Sequence, residues 1–219
     1  MGAIIIEPIT ANGYRQASPS YYKKLRKVAA DEGIPFIVDE TTIGMGVTGK
    51  MWSHEYWYLS EKDGGCADMV TFSGNTGISG FFSTKDYRTD PMCCAFDQTV
   101  DLVQLINFGE VQQEIQYRRL LQFVQDTSTF LKIELGNIER DYDHITNIRG
   151  NGTFIGFDAE TPRAADSLQL WFNKTGIRVA RVGPNSFGLR PALILGPSQA
   201  CYLRESLKGY HPNHVHSQH

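Results

Sequence analysis

Two unbroken apolar runs, "GAIIIEPI" at residues 2–9 and "PFIVDE" at 35–40, constrain this 219-residue chain more than any other feature. A strand with one wet face alternates apolar and polar residues. A run that is apolar at consecutive positions needs cover on both faces, as strands of parallel sheets have. Between the runs lie a polar loop, 10–19, and an amphipathic stretch, 20–33, that reads as a helix. Strand, helix and strand in that order make a right-handed βαβ unit. Residues 68–73 and 80–83 are expected to continue the sheet, and the strands that open it are expected to precede Met1.

The second half changes period. Leu102, Leu105 and Ile106, then Leu120, Leu121, Val124, Phe130 and Leu131, recur at three- and four-residue intervals, which predicts two helices broken near Gly109 or in the turn after it. A strand over 145–158, a helix over 163–174, strands over 177–182 and 187–193 and a last helix from Ser198 follow. The reading is an α/β fold with a partial parallel-sheet domain over 1–105, a smaller α+β domain over 106–210 and a disordered tail over 211–219.

Charge excludes some partners. A net charge of −3 without a basic stripe disfavours nucleic acid and anionic membrane surfaces. The cluster "YKKLRK" at 22–27 reads as the solvated face of a helix, with Leu25 and Val28 turned inward. No run of about 18 apolar residues crosses a membrane, and no leader peptide is expected. Cys66, Cys93, Cys94 and Cys201 have neither C-x-x-C nor metal-ligand spacing and read as unpaired thiols of an intracellular protein. His211, His214, His216 and His219 crowd the tail without the flanking order that a metal site needs. His54 reads as a packed histidine near the surface, and His144 as a histidine with no identifiable partner.

Three segments carry a family likeness: "IVDETTIGMGVTGKMWSHEYW" at 37–57, "NIRGNGTFIGFD" at 147–158 and "FGLRPAL" at 187–193. Together they resemble the C-terminal half of the 4-aminobutyrate aminotransferases, class III enzymes that use pyridoxal 5′-phosphate. The block "TGKMWSHEYW" is its specific part. The resemblance implies a fold-type-I transferase scaffold, a homodimer or heterodimer, and a mitochondrial matrix location, with no targeting signal in this chain.

The implied site is largely substituted. A pyridoxal cofactor needs an acid opposite its pyridine nitrogen to work as an electron sink, and Asp39, at the carboxyl end of a buried strand, matches that position. The same carboxylate could instead cap the turn before Thr41 and Thr42. In the family a lysine holding the cofactor as a Schiff base follows the "TFS" strand end; here Gly74 stands there, with Asn75 beside it. Glycine has no side chain, and an amide nitrogen is neither nucleophile nor base near pH 7. The nearest lysines, Lys50, Lys62 and Lys85, are expected to face away, so covalent attachment is not expected. Thr42 replaces a glutamine that touches the ring oxygen. Gln98 falls where a threonine reaches the phosphate, and a one-residue slip would bring Thr99 there instead. A glutamate and an arginine that pair on the substrate side align with Asn12 and Gly188.

Losing both members of such a pair is nearly neutral, whereas losing one leaves a buried charge costing about 3–5 kcal/mol. Arg190, on the same strand face as Gly188, could substitute in part. Three functions follow: an inactive relative of the 4-aminobutyrate aminotransferases, a transaminase completed by another chain, or an interaction subunit for a full-length homologue. No metal is expected in any of them.

Overall fold

The computed structural model describes residues 2–73, 77–88 and 101–211. It divides into two compact units. The first comprises residues up to Ile9, Gln16–Gly46 and Lys50–Arg119; the second comprises Thr10–Arg15, Val47–Gly49 and the chain from Leu120.

The first unit is built on a four-stranded sheet in the order β1 (Ile4–Ile6), β2 (Phe36–Asp39), β3 (Met69–Phe72), β4 (Gly80–Ser83). The first three strands are parallel and β4 returns antiparallel to β3, with Phe72 opposite Gly80. Helix α1 (Pro19–Asp31) links β1 to β2 and completes the βαβ unit expected from the apolar runs. Ser18 caps α1 by accepting from the Tyr21 amide, and Pro19 opens it, where a missing N–H costs nothing. Its inner stripe is Tyr22, Arg26 and Ala29, with Leu25 alongside.

That stripe corrects two expectations. Val28 is half exposed to solvent. Arg26, read as part of a solvated basic face, is buried and forks onto Asp68, with Nη1 and Nη2 donating at 3.1 and 3.2 Å. Asp68 also accepts the Phe36 amide at 2.8 Å, so one carboxylate ties α1 to the start of β2. Tertiary pairing outweighs the solvation that composition alone suggests.

The helical stretch breaks later than expected. Helix α2 (Leu102–Tyr117) runs through Gly109, whose cost of about 1 kcal/mol is tolerable in a helix of 16 residues. The break falls at Arg118 and Arg119, the latter left-handed at φ 50°. Helix α3 (Leu120–Tyr142) then opens the continuous part of the second unit.

The second sheet has the order β5 (Thr146–Asn151), β6 (Phe154–Asp158), β8 (Ser186–Leu189), β7 (Ala180–Arg181), all antiparallel. The single strand expected over 145–158 is thus a hairpin, turning at Gly152 with φ 63°. Helices α4 (Pro162–Lys174) and α5 (Pro197–Lys208) and α3 share one core with this sheet, centred on Phe157, Phe172, Phe187 and Leu135. His144, for which the sequence offers no partner, packs edge-on to Tyr210 at 5.0 Å. Burial is the main reason its pKa falls below the usual histidine value. Cys66 and Cys201 are free thiols, and Cys93, Cys94 and the tail histidines after His211 lie outside the described residues.

Candidate functional site

Asp39 ends β2 opposite Thr71 of β3. Its Oδ1 accepts three hydrogen bonds: from Thr41 Oγ1 at 2.6 Å, from the Thr41 amide at 2.9 Å and from Thr71 Oγ1 at 3.0 Å. Burial pushes this carboxyl upward, but the three donors outweigh it and hold its pKa below the usual aspartate value. Among the described residues Oδ2 makes no hydrogen bond. Of the two readings of Asp39, the structure shows the turn cap, made by Oδ1.

A measurement follows. A depressed folded-state pKa stabilises the protein above the ordinary aspartate range and loses that contribution as pH falls through the folded value. In Thr41→Val the Asp39 carboxyl carbon, followed by NMR, is expected to titrate at higher pH than in the parent, with the acid limb of stability moving the same way. An unchanged titration would show that Thr41 does not hold the charge.

The turn after β2 is tight. The Glu40 carbonyl accepts the Gly44 amide at 2.9 Å, and a Cβ on Gly44 would lie 2.9 Å from that oxygen and 3.1 Å from Trp52, so glycine is required. Thr42 is half-buried within this turn. The "TGKMWSHEYW" block supports the turn. His54, on a 3₁₀ turn at Ser53–Trp57, brings both its amide and its Nδ1 to Glu40 Oε1 at 2.8 Å, and Glu40 is fully buried. Trp57 stacks on Tyr22 at 4.1 Å, and Trp52 meets Phe72 and Phe82 at 6.0 and 5.7 Å. Lys50 sits over the rings of Tyr56 and Tyr58, 4.7 Å from each. The block thus anchors the segment that follows Asp39.

In the second unit, Gly156 of β6 and Gly188 of β8 face each other across the ladder. Two glycines in register open a slot on the sheet face, and Tyr14 lies in it. A Cβ on Gly156 would come 2.8 Å from Tyr14 Cβ, and one on Gly188 would come 2.3 Å from Tyr14 Cζ and 2.4 Å from its hydroxyl. Tyr14 is fully buried, left-handed at φ 58°, and stacked on Phe154 at 3.9 Å between centroids. Arg190 donates from Nε to the Tyr14 hydroxyl at 2.6 Å and lies over both rings. Burial raises the phenol pKa above its usual value, against the pull of Arg190. Arg149 donates to the Gly13 carbonyl and pairs with Asp158 at 2.7 Å, fixing the loop that carries Tyr14. Asn12 is exposed on this loop, where its carbonyl accepts from Thr10 Oγ1 at 2.9 Å.

Of the residues named from the sequence, Asp39 and Thr42 share one turn, Asn12 shares a loop with Tyr14, and Gly188 forms that tyrosine's slot. Gly74, Asn75, Gln98 and Thr99 lie outside the described residues. Tyr14 was not among the residues named from the sequence; the signal for it is a bulky ring two residues after Asn12, where the family likeness implies a glutamate.

The class III aminotransferase model matches residues 1–209. This chain belongs to the class III aminotransferases. Curated relatives include the 4-aminobutyrate aminotransferase of Dictyostelium discoideum, 36% identical over 201 residues, which covers 90% of this chain and 40% of that protein. The mitochondrial 4-aminobutyrate aminotransferase of Mus musculus is 32% identical over 197 residues, covering 89% and 39%. The chain therefore spans about 40% of the length of these relatives, corresponding to their C-terminal part. Among solved structures, lysine aminotransferase from M. tuberculosis superposes with a TM-score of 0.82 at 19% identity, covering 95% of this chain and 49% of that one. An S-selective transaminase from Arthrobacter sp. gives 0.78 at 15% identity, covering 98% and 52%. At such identities the likeness shows the fold, that of the pyridoxal-phosphate-dependent transaminases.

The family implies pyridoxal phosphate, and its members are typically dimeric. The residues of this chain fit the cofactor at one end. Ionised Asp39 has an oxygen to offer a pyridine N–H, whereas the sequence at 69–82 contains no lysine to offer its aldehyde. Among the described residues no helix is long and apolar enough to cross a membrane, and no cluster of three or more histidine, cysteine or acidic side chains could hold a metal.

Proposed function

We propose that this chain is a 4-aminobutyrate aminotransferase-like protein that keeps the scaffold and the pyridine-nitrogen acid but does not transfer amino groups by itself. The observation that carries this reading is the absence of lysine from 69–82, where the family likeness places the cofactor-bearing amine. Bound pyridoxal phosphate would supply an electron sink for a substrate's amino carbon. Asp39 can hold the ring nitrogen protonated. Gly74 cannot carry the cofactor or move a proton from that carbon. The substrate side supports the same reading, because Tyr14 fills the space that a side chain at position 188 would need. Residues 1–105 are proposed to be part of the large cofactor-binding domain and 106–210 the small domain. A mitochondrial location is proposed from the named relatives.

A second reading, a subunit that pairs with a full-length aminotransferase, is favoured by one observation. Leu102, Val103, Leu105 and Ile106, at the start of α2, are all more than half exposed. Such a patch is unusual on a monomer and usual on an interface.

One experiment addresses both. The protein is mixed with pyridoxal phosphate, alone or with a full-length 4-aminobutyrate aminotransferase, then reduced with borohydride and mapped by mass spectrometry. Alone, it is expected to develop no long-wavelength absorption band and to carry no cofactor-derived mass on the 69–82 peptide. A labelled lysine anywhere in the chain, with transaminase activity, would overturn the inactive reading. Co-sedimentation with the full-length enzyme would favour the subunit reading.

A further inference from the structure

The second unit contains a cavity of about 540 Å³ whose lining reaches the end of β8 at Gly188 and Arg190. It lies between the end of α4, the segment Ile177–Val179 leading into β7, and the first turns of α5. Its lining is mainly apolar, with Leu131, Ile177, Val179, Leu195 and Leu203, and also carries Gln169, Asn173 and Gln199. That volume and lining are those of a small-molecule site. Its charged lining residues are Arg178 and Arg190, with no aspartate or glutamate, and the Arg190 guanidinium is taken up by the Tyr14 and Phe154 rings. Elsewhere in this unit Arg149, Arg181 and Arg204 each meet a carboxylate at 2.7–3.2 Å. Arg178 is exposed and, among the described residues, has no carboxylate partner. Arg190 spends Nε on the Tyr14 hydroxyl and reaches the Ala11 carbonyl from Nη2 only at 3.4 Å.

We propose that this cavity binds an amphipathic anion, an unbranched alkyl carboxylate whose chain lies against Leu131, Ile177, Val179, Leu195 and Leu203 and whose carboxylate meets Arg178. An apolar body gains from leaving water in proportion to the area it buries, and a carboxylate remaining at the rim keeps part of its hydration while gaining a guanidinium. A neutral hydrocarbon would forgo the second contribution, and a short hydrophilic dianion the first. The inference is independent of whether Gly74 has silenced the chain, since it uses neither Asp39 nor the 69–82 segment.

Calorimetry with hexanoate, octanoate and 1-octanol, together with methyl NMR of Leu131, Ile177, Val179 and Leu195, tests it. Each methylene is expected to tighten binding about fourfold, so hexanoate should bind about fifteenfold more weakly than octanoate. Octanol should bind about three- to tenfold more weakly than octanoate. Arg178→Gln, at an exposed position that leaves the fold intact, should weaken octanoate by a similar factor and leave octanol unchanged. Equal affinity for octanol and octanoate would overturn the proposal, as would no effect of Arg178→Gln. So would methyl shifts confined to Leu102, Leu105 and Ile106, which would show adsorption to the exposed patch of α2.

Discussion

Asp68→Ala is expected to cost the fold about 3–5 kcal/mol, as much as a third or more of the stability of an ordinary domain. The Arg26 and Asp68 side chains are only 8% and 15% exposed, so removing the carboxylate leaves a guanidinium that can neither pair nor return to water without undoing the helix. It also orphans the Phe36 amide at the start of β2. The nearby Lys27–Asp31 pair gives the control: both side chains are 59% exposed, and Lys27→Ala should change stability by less than about 0.5 kcal/mol. Arg26→Met combined with Asp68→Asn removes both charges while keeping an acceptor for Phe36, and it should recover most of the loss. Urea denaturation of the four proteins decides the matter. If Asp68→Ala and Lys27→Ala prove alike, burial is not what gives the ion pair its weight.

Gly188→Arg, which puts back the charge that the family likeness places at this position, is expected to destabilise the protein by about 1–3 kcal/mol or more and to restore nothing. The new Cβ would clash with Tyr14 at 2.3–2.5 Å from Cζ, the hydroxyl and Cε2, and the ring cannot retreat because Phe154 stacks on one face and Arg149 holds its loop. Displacing the ring also forfeits the stacking, worth about 0.5–1.5 kcal/mol. Tyr14→Ala alone opens a void and should cost about 3–5 kcal/mol, the range for large aromatic truncations. Combined, the two substitutions should cost less than their sum by at least about 1 kcal/mol, since the arginine stem enters the space that the ring vacates. Strict additivity would mean that Tyr14 and position 188 do not compete for one volume.

Much of the architecture is legible because it depends on local pattern. Consecutive apolar residues at Ile4–Ile6 and at Phe36, Ile37 and Val38 mark parallel-sheet strands, although Ile5 is 67% exposed and lacks the cover expected on its face, and Ser18 with Pro19 marks a helix start from its own chemistry. The turn capped by Asp39 was legible for the same reason: an acid at the end of a buried strand meets the donors of the turn that follows. What the sequence concealed depends on partners far along the chain. Arg26 looks like any exposed arginine until Asp68 arrives from 42 residues away. Gly109 looks like a break, but the helix absorbs it, and the break falls on Arg119, a residue with no turn signature. Gly156 and Gly188 each look like weak points in a strand. Only their register against each other makes a slot, and only the slot explains why Tyr14 accepts a left-handed backbone.

The Tyr14 loop also sets a timetable. It belongs to the second unit although both its flanks belong to the first, and its hydrogen bond to Arg190 closes a separation of 176 residues. A ribosome adds about 5–20 residues per second, so the ring waits on the order of ten to thirty seconds for the strand that receives it. Closing so long a span costs little more entropy than a shorter one, because the penalty grows only with the logarithm of length. The waiting is what matters: an aromatic side chain made 176 residues ahead of its partner is open to holdase chaperones throughout, and β8 must find it already displayed. A nascent chain released before Gly188 would have every residue of the loop and nowhere to put it.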